Sequence, residues 1–389
     1  MSRVWVAVVG VAMIASGALH AQAANKSYFA ARNELQQAGR RWVLSEPHKM
    51  NRARVSRCGV ITQATFFHTK STNKQGLGEY FGAAANANRS DANATIKVIL
   101  DETKDTNALY GRDIDHTYNQ DNDEAPMYGT LNLAPWQERT GVVLTANWDV
   151  SKAFKNLNGW SIGITVPVVE VTNNMGLTFT KDGESTADTN KTATGTVAQF
   201  FAGTYEQTQA ANWQKKLTHG RVDTADRQKS GVADCKINLS YGFDVHRDSA
   251  IQLRAGLIIP TGNSSTAVDL FEALYGNNRH VGVSLGGAAM IELTSNRRKG
   301  TSWWWSSVGE YTFLFQGREK RLVGLHDVAG SKTGAWGQYA LAIEKGKGSV
   351  SPLANALARD VYVVPGSHMD WVSGLTWVWG NLNLNVGYN

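Results

Sequence analysis

From Gly231 to Val245 apolar and polar residues alternate without a break. Cys235, Ile237, Leu239, Tyr241, Phe243 and Val245 fall on one face, and Asp234, Lys236, Asn238, Ser240, Gly242 and Asp244 on the other. After His246-Arg247-Asp248 the pattern resumes, with Ile251, Leu253, Ala255, Leu257 and Ile259 against Gln252, Arg254 and Gly256. A strand of a soluble sandwich has about five or six residues. Two-faced strands of roughly 9–11 residues are what crossing a bilayer as a closed barrel requires. Further candidate strands run over 56–68, 139–150, 159–171, 280–293, 301–315, 368–379 and 381–388, with weaker candidates at 94–100, 127–133 and 335–343. The pattern predicts an all-β fold, a transmembrane antiparallel β-barrel with long extracellular loops that carry short helices.

The connections alternate in length. Short ones fall at 151–158, 246–248, 294–300 and Gly380-Asn381, and long ones at 69–138, 172–230, 261–279 and 316–367. Such barrels have short periplasmic turns and long external loops, which fixes an orientation. Aromatic residues give the same answer independently. Trp148, Trp160, Phe243, Trp303, Trp305, Trp377 and Trp379 all lie near the short turns on the apolar phase, as a periplasmic girdle would. With both termini periplasmic the strand number is even, so the nine firm candidates point to about 12 strands in a range of 10–14. The last strand alternates Leu382, Leu384, Val386 and Tyr388 with Asn383, Asn385 and Gly387. It ends on Asn389, where the terminal signal of these barrels usually ends on an aromatic.

At the N-terminus Arg3, an apolar run from Val4 to Leu19 and the small residues of Ala21-Gln22-Ala23 describe a secretory signal peptide over 1–23. Residues 24–54 are then a periplasmic tail or plug segment, and 55–389 the barrel. No later apolar run reaches about 18 residues, which excludes a helical membrane protein. Thirty-eight Gly, thirteen Trp and 19% charged residues suit a β-rich wall with aromatic girdles. The mean hydropathy of −0.31 is no objection when half of each strand faces water. The net charge of +6 becomes +5 once Arg3 is removed, a dispersed excess that favours anions mildly and gives no reason to expect nucleic acid. Cys58 and Cys235 sit on apolar phases and read as lipid-facing small hydrophobes rather than as a disulfide or a metal site.

Several segments carry the vocabulary of other chemistry. Gly282-Val283-Ser284-Leu285-Gly286 matches the nucleophile pattern G-x-S-x-G, which needs a sharp strand-to-helix turn. Here it continues an alternating strand, so small lumen-facing residues are expected and no enzyme. Asp113, Asp115, Thr117, Asn119, Asp121 and Glu124 stand at calcium-loop spacing, but Tyr118 occupies the position where the turn wants Gly. A solvated acidic loop is the competing reading. Val197–Leu217 and the Leu270, Phe271, Leu274, Tyr275 spacing suggest loop helices that either narrow the pore or pack on its rim. The polar phase carries Asp149, Asp234, Lys236, Asp244, Arg254, Glu292 and Glu310, the expected pore-lining charges. Internal salt bridges filling a narrow barrel would use the same residues.

Gly231-Val232-Ala233-Asp234, a long strand, a short turn, and then Leu257-Ile258-Ile259-Pro260-Thr261-Gly262-Asn263 resemble the outer-membrane porins of the meta-pathway phenol-degradation type. The resemblance implies a barrel that passes small molecules and brings no catalytic residues or cofactor. The expected function is passive diffusion of small solutes across the outer membrane of a Gram-negative-type bacterium. Membrane lipids and solutes are the expected partners, and a homo-oligomer is compatible with the pattern. A transporter for hydrophobic compounds, with Ala24–Arg54 as its plug, and a structural or adhesive barrel are the competing functions.

Overall fold

The structure, a computed structural model, describes residues 59–81, 84–85, 94–99, 109–110, 128–181, 193–206, 213–246, 249–296, 300–323, 337–339, 341–343, 349–379 and 382–388. The signal peptide, residues 24–54, Cys58, the calcium-loop candidates Asp113–Glu124 and the Gly380-Asn381 turn lie outside the described residues.

The main sheet follows the chain. In our numbering its strands are β1 (Val60–Lys70), β4 (Trp136–Asp149), β5 (Trp160–Asn174), β8 (Cys235–His246), β9 (Ser249–Ile259), β10 (Gly282–Asn296), β11 (Thr301–Leu314), β14 (Ser367–Trp379) and β15 (Leu382–Tyr388). They pair in that order, each antiparallel to the next, and β7 (Arg227–Val232) pairs with β5 beside β8. The sheet curls into a half-barrel, and β1 and β15 are its edges among the described residues. No described helix is long and apolar enough to cross a membrane.

The alternation located these strands well. Among the described residues the main sheet has ten strands, nine along the path and β7 beside β8, within the expected range of 10–14. The weaker candidates are indeed strands in two cases, β2 (Ala94–Ile99) and β3 (Tyr128–Leu133), but they belong to a separate small sheet with β6 (Thr178–Lys181). At six residues each they are too short to cross hydrocarbon. Only Leu341–Ile343 of the third candidate is described as strand.

Faces alternate in the sense opposite to that of a soluble sheet. On the convex side Phe66, Leu144, Ile162, Leu239, Leu253, Leu285, Tyr311, Met369 and Leu375 are exposed, Phe66 by 76% and Leu285 by 65%. On the concave side Thr145, Thr165, Asn238, Ser240, Ser284, Thr312 and Thr376 are buried. A sheet with one face in water does the reverse, burying its apolar side.

The expected strand Gly231–Val245 is broken at Ala233-Asp234. Val232 stands opposite Val168 and Lys236 opposite Thr165, so three residues face two. The cause is Pro167 in the middle of β5. It has no N–H for a ladder, and a bulge is where a central strand accommodates it. Its carbonyl still accepts the Ala233 N–H at 2.9 Å.

All four long connections leave from one end of the sheet and fold together. Phe81, Leu131, Leu133, Phe200, Phe201, Leu217, Phe271, Leu322 and Tyr339 form a conventional apolar core, a cap over that end. Phe81 meets Phe271 at 5.2 Å between ring centroids, and Phe201 meets Tyr339 at 5.1 Å. The cap holds α1 (Lys74–Tyr80), α2 (Ala193–Ala202), α3 (Leu353–Leu357) and the two-stranded antiparallel sheet of β12 (Gly317–Leu322) with β13 (Ala358–Val363). The helix expected over Val197–Leu217 therefore ends at Ala202. The Leu270–Tyr275 segment is not helical, because Ala267, Asn278 and Arg279 adopt left-handed φ values of 56°, 52° and 64° and turn the loop back on itself.

Burial raises the Tyr339 phenol above its ordinary value, so its hydroxyl stays a donor and bonds the Gly220 carbonyl at 2.6 Å. Tyr339→Phe leaves that buried acceptor unpaired. It is expected to cost about 1–3 kcal/mol, read by urea unfolding of the purified protein.

Candidate functional site: a polar band on the concave face

Register brings the concave residues into rows. One row runs Asn238, Gly256, Ser284, Thr312, His368 across β8, β9, β10, β11 and β14, and the next runs Ser240, Arg254, Gly286, Glu310, Asp370. Ile258 and Leu314 bound this band on the cap side, and Ala288, Val308 and Val372 on the other.

Lys236 on β8 is in direct contact with Glu310 on β11, three strands away. On a flat sheet that is roughly 14 Å, so the two side chains meet only because the sheet curls. The lysine lies over Gly256, where an added Cβ would come within 2.7 Å of its Cε. Ser284 Oγ and Asn238 Oδ1 would be 2.5 and 2.6 Å from the same point. Gly256 thus opens a small polar nest in the floor. Asn238 is 7% exposed, and its Oδ1 has no hydrogen-bond partner. Arg254 donates from Nε and Nη2 to Gln252 Oε1, at 2.9 and 2.7 Å. Asp370 Oδ2 stands 3.8 Å from His368 Nε2.

Of the six expected pore-lining charges, Lys236, Arg254 and Glu310 come together in this band, and three do not join them. Asp244 is exposed near the short turn that follows β8. Glu292 lies toward the same end, its N–H bonded to Ser249 Oγ at 3.0 Å. Asp234 departs furthest from a wetted wall, being 0% exposed. Asp149, on the same phase, caps the turn at Val150–Lys152 by accepting the Ser151 N–H at 3.0 Å. Asn238, His368 and Asp370 were not singled out in the sequence. Asp370 and His368 are on the polar phase of their strand, but their place beside Glu310 needs the register.

Asp234 and Thr261 join the two short motifs, Gly231–Asp234 and Leu257–Asn263. At the bulge the Asp234 carboxylate turns toward the loop 260–281 and accepts the N–H groups of Gly262 at 2.9 Å and Asn277 at 2.6 Å. Thr261 Oγ1 donates to Ala233 O at 2.5 Å and accepts the Cys235 N–H at 3.1 Å. Gly262 and Gly276 allow this approach, since a Cβ on either would lie within 2.9 Å of Asp234 Oδ1. The loop is held further inward by Arg139, whose Nη2 donates to Leu274 O at 2.8 Å, and by Asn173 Nδ2, which donates to Glu272 O at 2.6 Å. Loop residue Ala273 then packs with Phe67, Val143, Val169 and Val171 on the concave wall. A buried contact of His280 Nε2 with Glu319 Oε1 at 2.6 Å, with Arg321 Nε donating to Glu319 Oε2 at 2.5 Å, ties β12 to the start of β10. Within the cap His219 is held below its ordinary value by burial first, and then by Lys320 and Arg221. Cys235 is a free thiol.

Ser284 of the G-x-S-x-G match sits inside β10, buried and in register with Gly256 and Thr312. No strand-to-helix turn exposes it.

The aromatic residues gather near the short-turn end on the convex phase. Trp160 meets Tyr241 at 5.2 Å, Tyr241 meets Phe243 at 6.2 Å, Trp303 meets Trp377 at 6.2 Å and Trp377 meets Trp379 at 5.9 Å. Two convex indoles find partners within the wall. Trp305 Nε1 donates to Ser373 Oγ at 2.8 Å, and Trp371 Nε1 to Ser307 Oγ at 2.7 Å.

No family model matches the chain, and no curated protein matches it.

Proposed function

We propose that the protein is an outer-membrane β-barrel channel through which small hydrophilic solutes diffuse passively. The observation that carries this reading is the inverted polarity of the main sheet, apolar and exposed on its convex side, polar and buried on its concave side. Such a sheet is stable where its outer face meets hydrocarbon and its inner face meets water or other polar groups. The aromatic belt at the short-turn end supports an orientation with those turns in the periplasm and the cap outside. Indoles whose N–H groups bond serine within the wall also suit a medium that offers no acceptor. On this reading membrane lipids and small solutes are the partners, and the protein is neither an enzyme nor a carrier of a cofactor. The cap covers the outer mouth and sets the size limit.

The band carries two cations, Lys236 and Arg254, and two carboxylates, Glu310 and Asp370, so the mild anion preference drawn from net charge does not follow from it. Planar-bilayer recordings of the purified protein test the channel. Discrete conductance steps that grow with salt support it, and a folded but electrically silent protein moves the structural role ahead of it.

Trypsin tests the orientation. Added to intact cells, it should cut at exposed Lys216 and spare exposed Lys152 and Lys155, which should be cut after the periplasm is opened. Cleavage at Lys155 from outside would invert the topology. Arg247, Arg297 and Arg298, tryptic sites of two other short turns, lie outside the described residues.

A further inference from the structure

Two exposed arginines stand at the cap end of the convex face, Arg279 at the end of the loop 260–281 and Arg318 on β12, and neither has a carboxylate partner among the described residues. Arg279 projects between Asn278 and His280, which are both buried. The backbone holds Asn278 and Arg279 at left-handed φ values of 52° and 64°, a costly conformation for any residue with a side chain. Asn278 fixes that turn, its Oδ1 accepting the Ser265 N–H at 2.7 Å. Arg318 points outward because the next residue, Glu319, turns inward to His280. Its Nε donates to Tyr362 Oη at 3.0 Å, and its guanidinium carbon lies 5.0 Å from the centre of that ring. A guanidinium laid on an aromatic ring is already ordered, and its remaining N–H groups form a fork that matches phosphate.

The two arginines sit on adjacent segments. The Phe315 N–H donates to Val281 O at 2.8 Å, and Gly317 lies against the His280 ring, so the segments run side by side, roughly 5 Å apart as paired strands are. Just toward the short-turn end, Val281, Val283, Phe313, Phe315 and Val364 are all exposed. One step further out on β12 and β13, Lys320 stands opposite Asp360, so that carboxylate has a cation of its own across the ladder. We infer that this corner holds the phosphate-bearing headgroup of an anionic lipid, with the lipid's chains lying on the apolar wall below. Cations at headgroup level and an apolar surface directly beneath them are the two halves such a molecule requires. A free phosphate would use only the first. The inference deepens the membrane reading and rests on the convex face meeting lipid.

The test titrates the full-length protein, in a neutral detergent and dilute salt, with dioleoyl phosphatidate or dioleoyl phosphatidylcholine, and counts the retained lipid by native mass spectrometry. One phosphatidate should bind about 25-fold tighter than phosphatidylcholine, about fivefold for each cation beside an anionic headgroup. Arg279→Gln and Arg318→Gln should each weaken phosphatidate about fivefold and leave phosphatidylcholine unchanged. Both side chains are exposed, so neither change removes buried packing. Inorganic phosphate at the concentration of the lipid should not displace it. Displacement would reveal a site for free anions and overturn the lipid as occupant. Equal retention of the two lipids, or a preference that survives both substitutions, overturns the inference and leaves the channel reading standing. Retention of neither lipid sinks the membrane reading, and this corner's role with it.

Discussion

Leu285→Arg is expected to destabilise the vesicle-inserted protein by about 2–4 kcal/mol, the cost of a cation on the lipid face near mid-membrane. Leu285 is 65% exposed and touches little that the substitution would remove. If the convex face met water, the change would stay within about ±0.5 kcal/mol, as surface substitutions do. The two media therefore give opposite outcomes for one side chain. Leu239→Arg, on the same face of β8, should repeat the result. Refolding into lipid vesicles across a urea series measures both. Asn238→Arg, on the opposite face of β8, is not a neutral control, because Asn238 packs over Gly256 beside Lys236.

Asp234→Ala should be at least as damaging, through a different route. It strands the buried N–H of Gly262 and the half-buried N–H of Asn277. Each unsatisfied donor costs about 1–3 kcal/mol, so the pair costs roughly 2–6 kcal/mol. The loss should be local first, since the loop 260–281 already holds three non-glycine residues in left-handed conformations. Trypsin should then cut after Arg279 well below the global unfolding transition. Asp234→Asn keeps one acceptor oxygen and should fall between. An Ala variant with native urea midpoint and unchanged tryptic pattern would remove Asp234 as the anchor of that loop.

Strand positions and faces were legible because alternation is a local property, carried by each strand alone. Leu239 and Leu285 declare their side without reference to any partner. What a residue meets across the sheet depends on register and curl, and no single strand encodes either. Glu310 could be read as lumen-facing, but its contact with Lys236 needs four strands, β8 to β11, to curl together. Asp234 was misplaced because the alternation of its own strand runs straight through the bulge, whose cause, Pro167, lies on β5. The cap was hidden for a related reason. Its apolar residues are scattered over four polar connections, none of which has a periodicity that announces a common core. The spacing of Leu270, Phe271, Leu274 and Tyr275 imitates a helix because the loop buries Leu270 and Phe271 in the cap and packs Tyr275 against the concave-wall cluster.

Phe81, Phe201, Phe271 and Tyr339 each come from a different long connection, yet share one core. Their contacts span much of the chain, and closing such distant loops is slow because ordering precedes reward. The cap core therefore cannot be completed before the connection between β11 and β14 has arrived, late in synthesis. Assembly has a built-in sequence: hairpins first, the mouth sealed last. A chain that stops short of Tyr339 retains β1 to β11 but leaves Phe201 without its aromatic partner and the cap core incomplete, a surface for quality-control proteases to find.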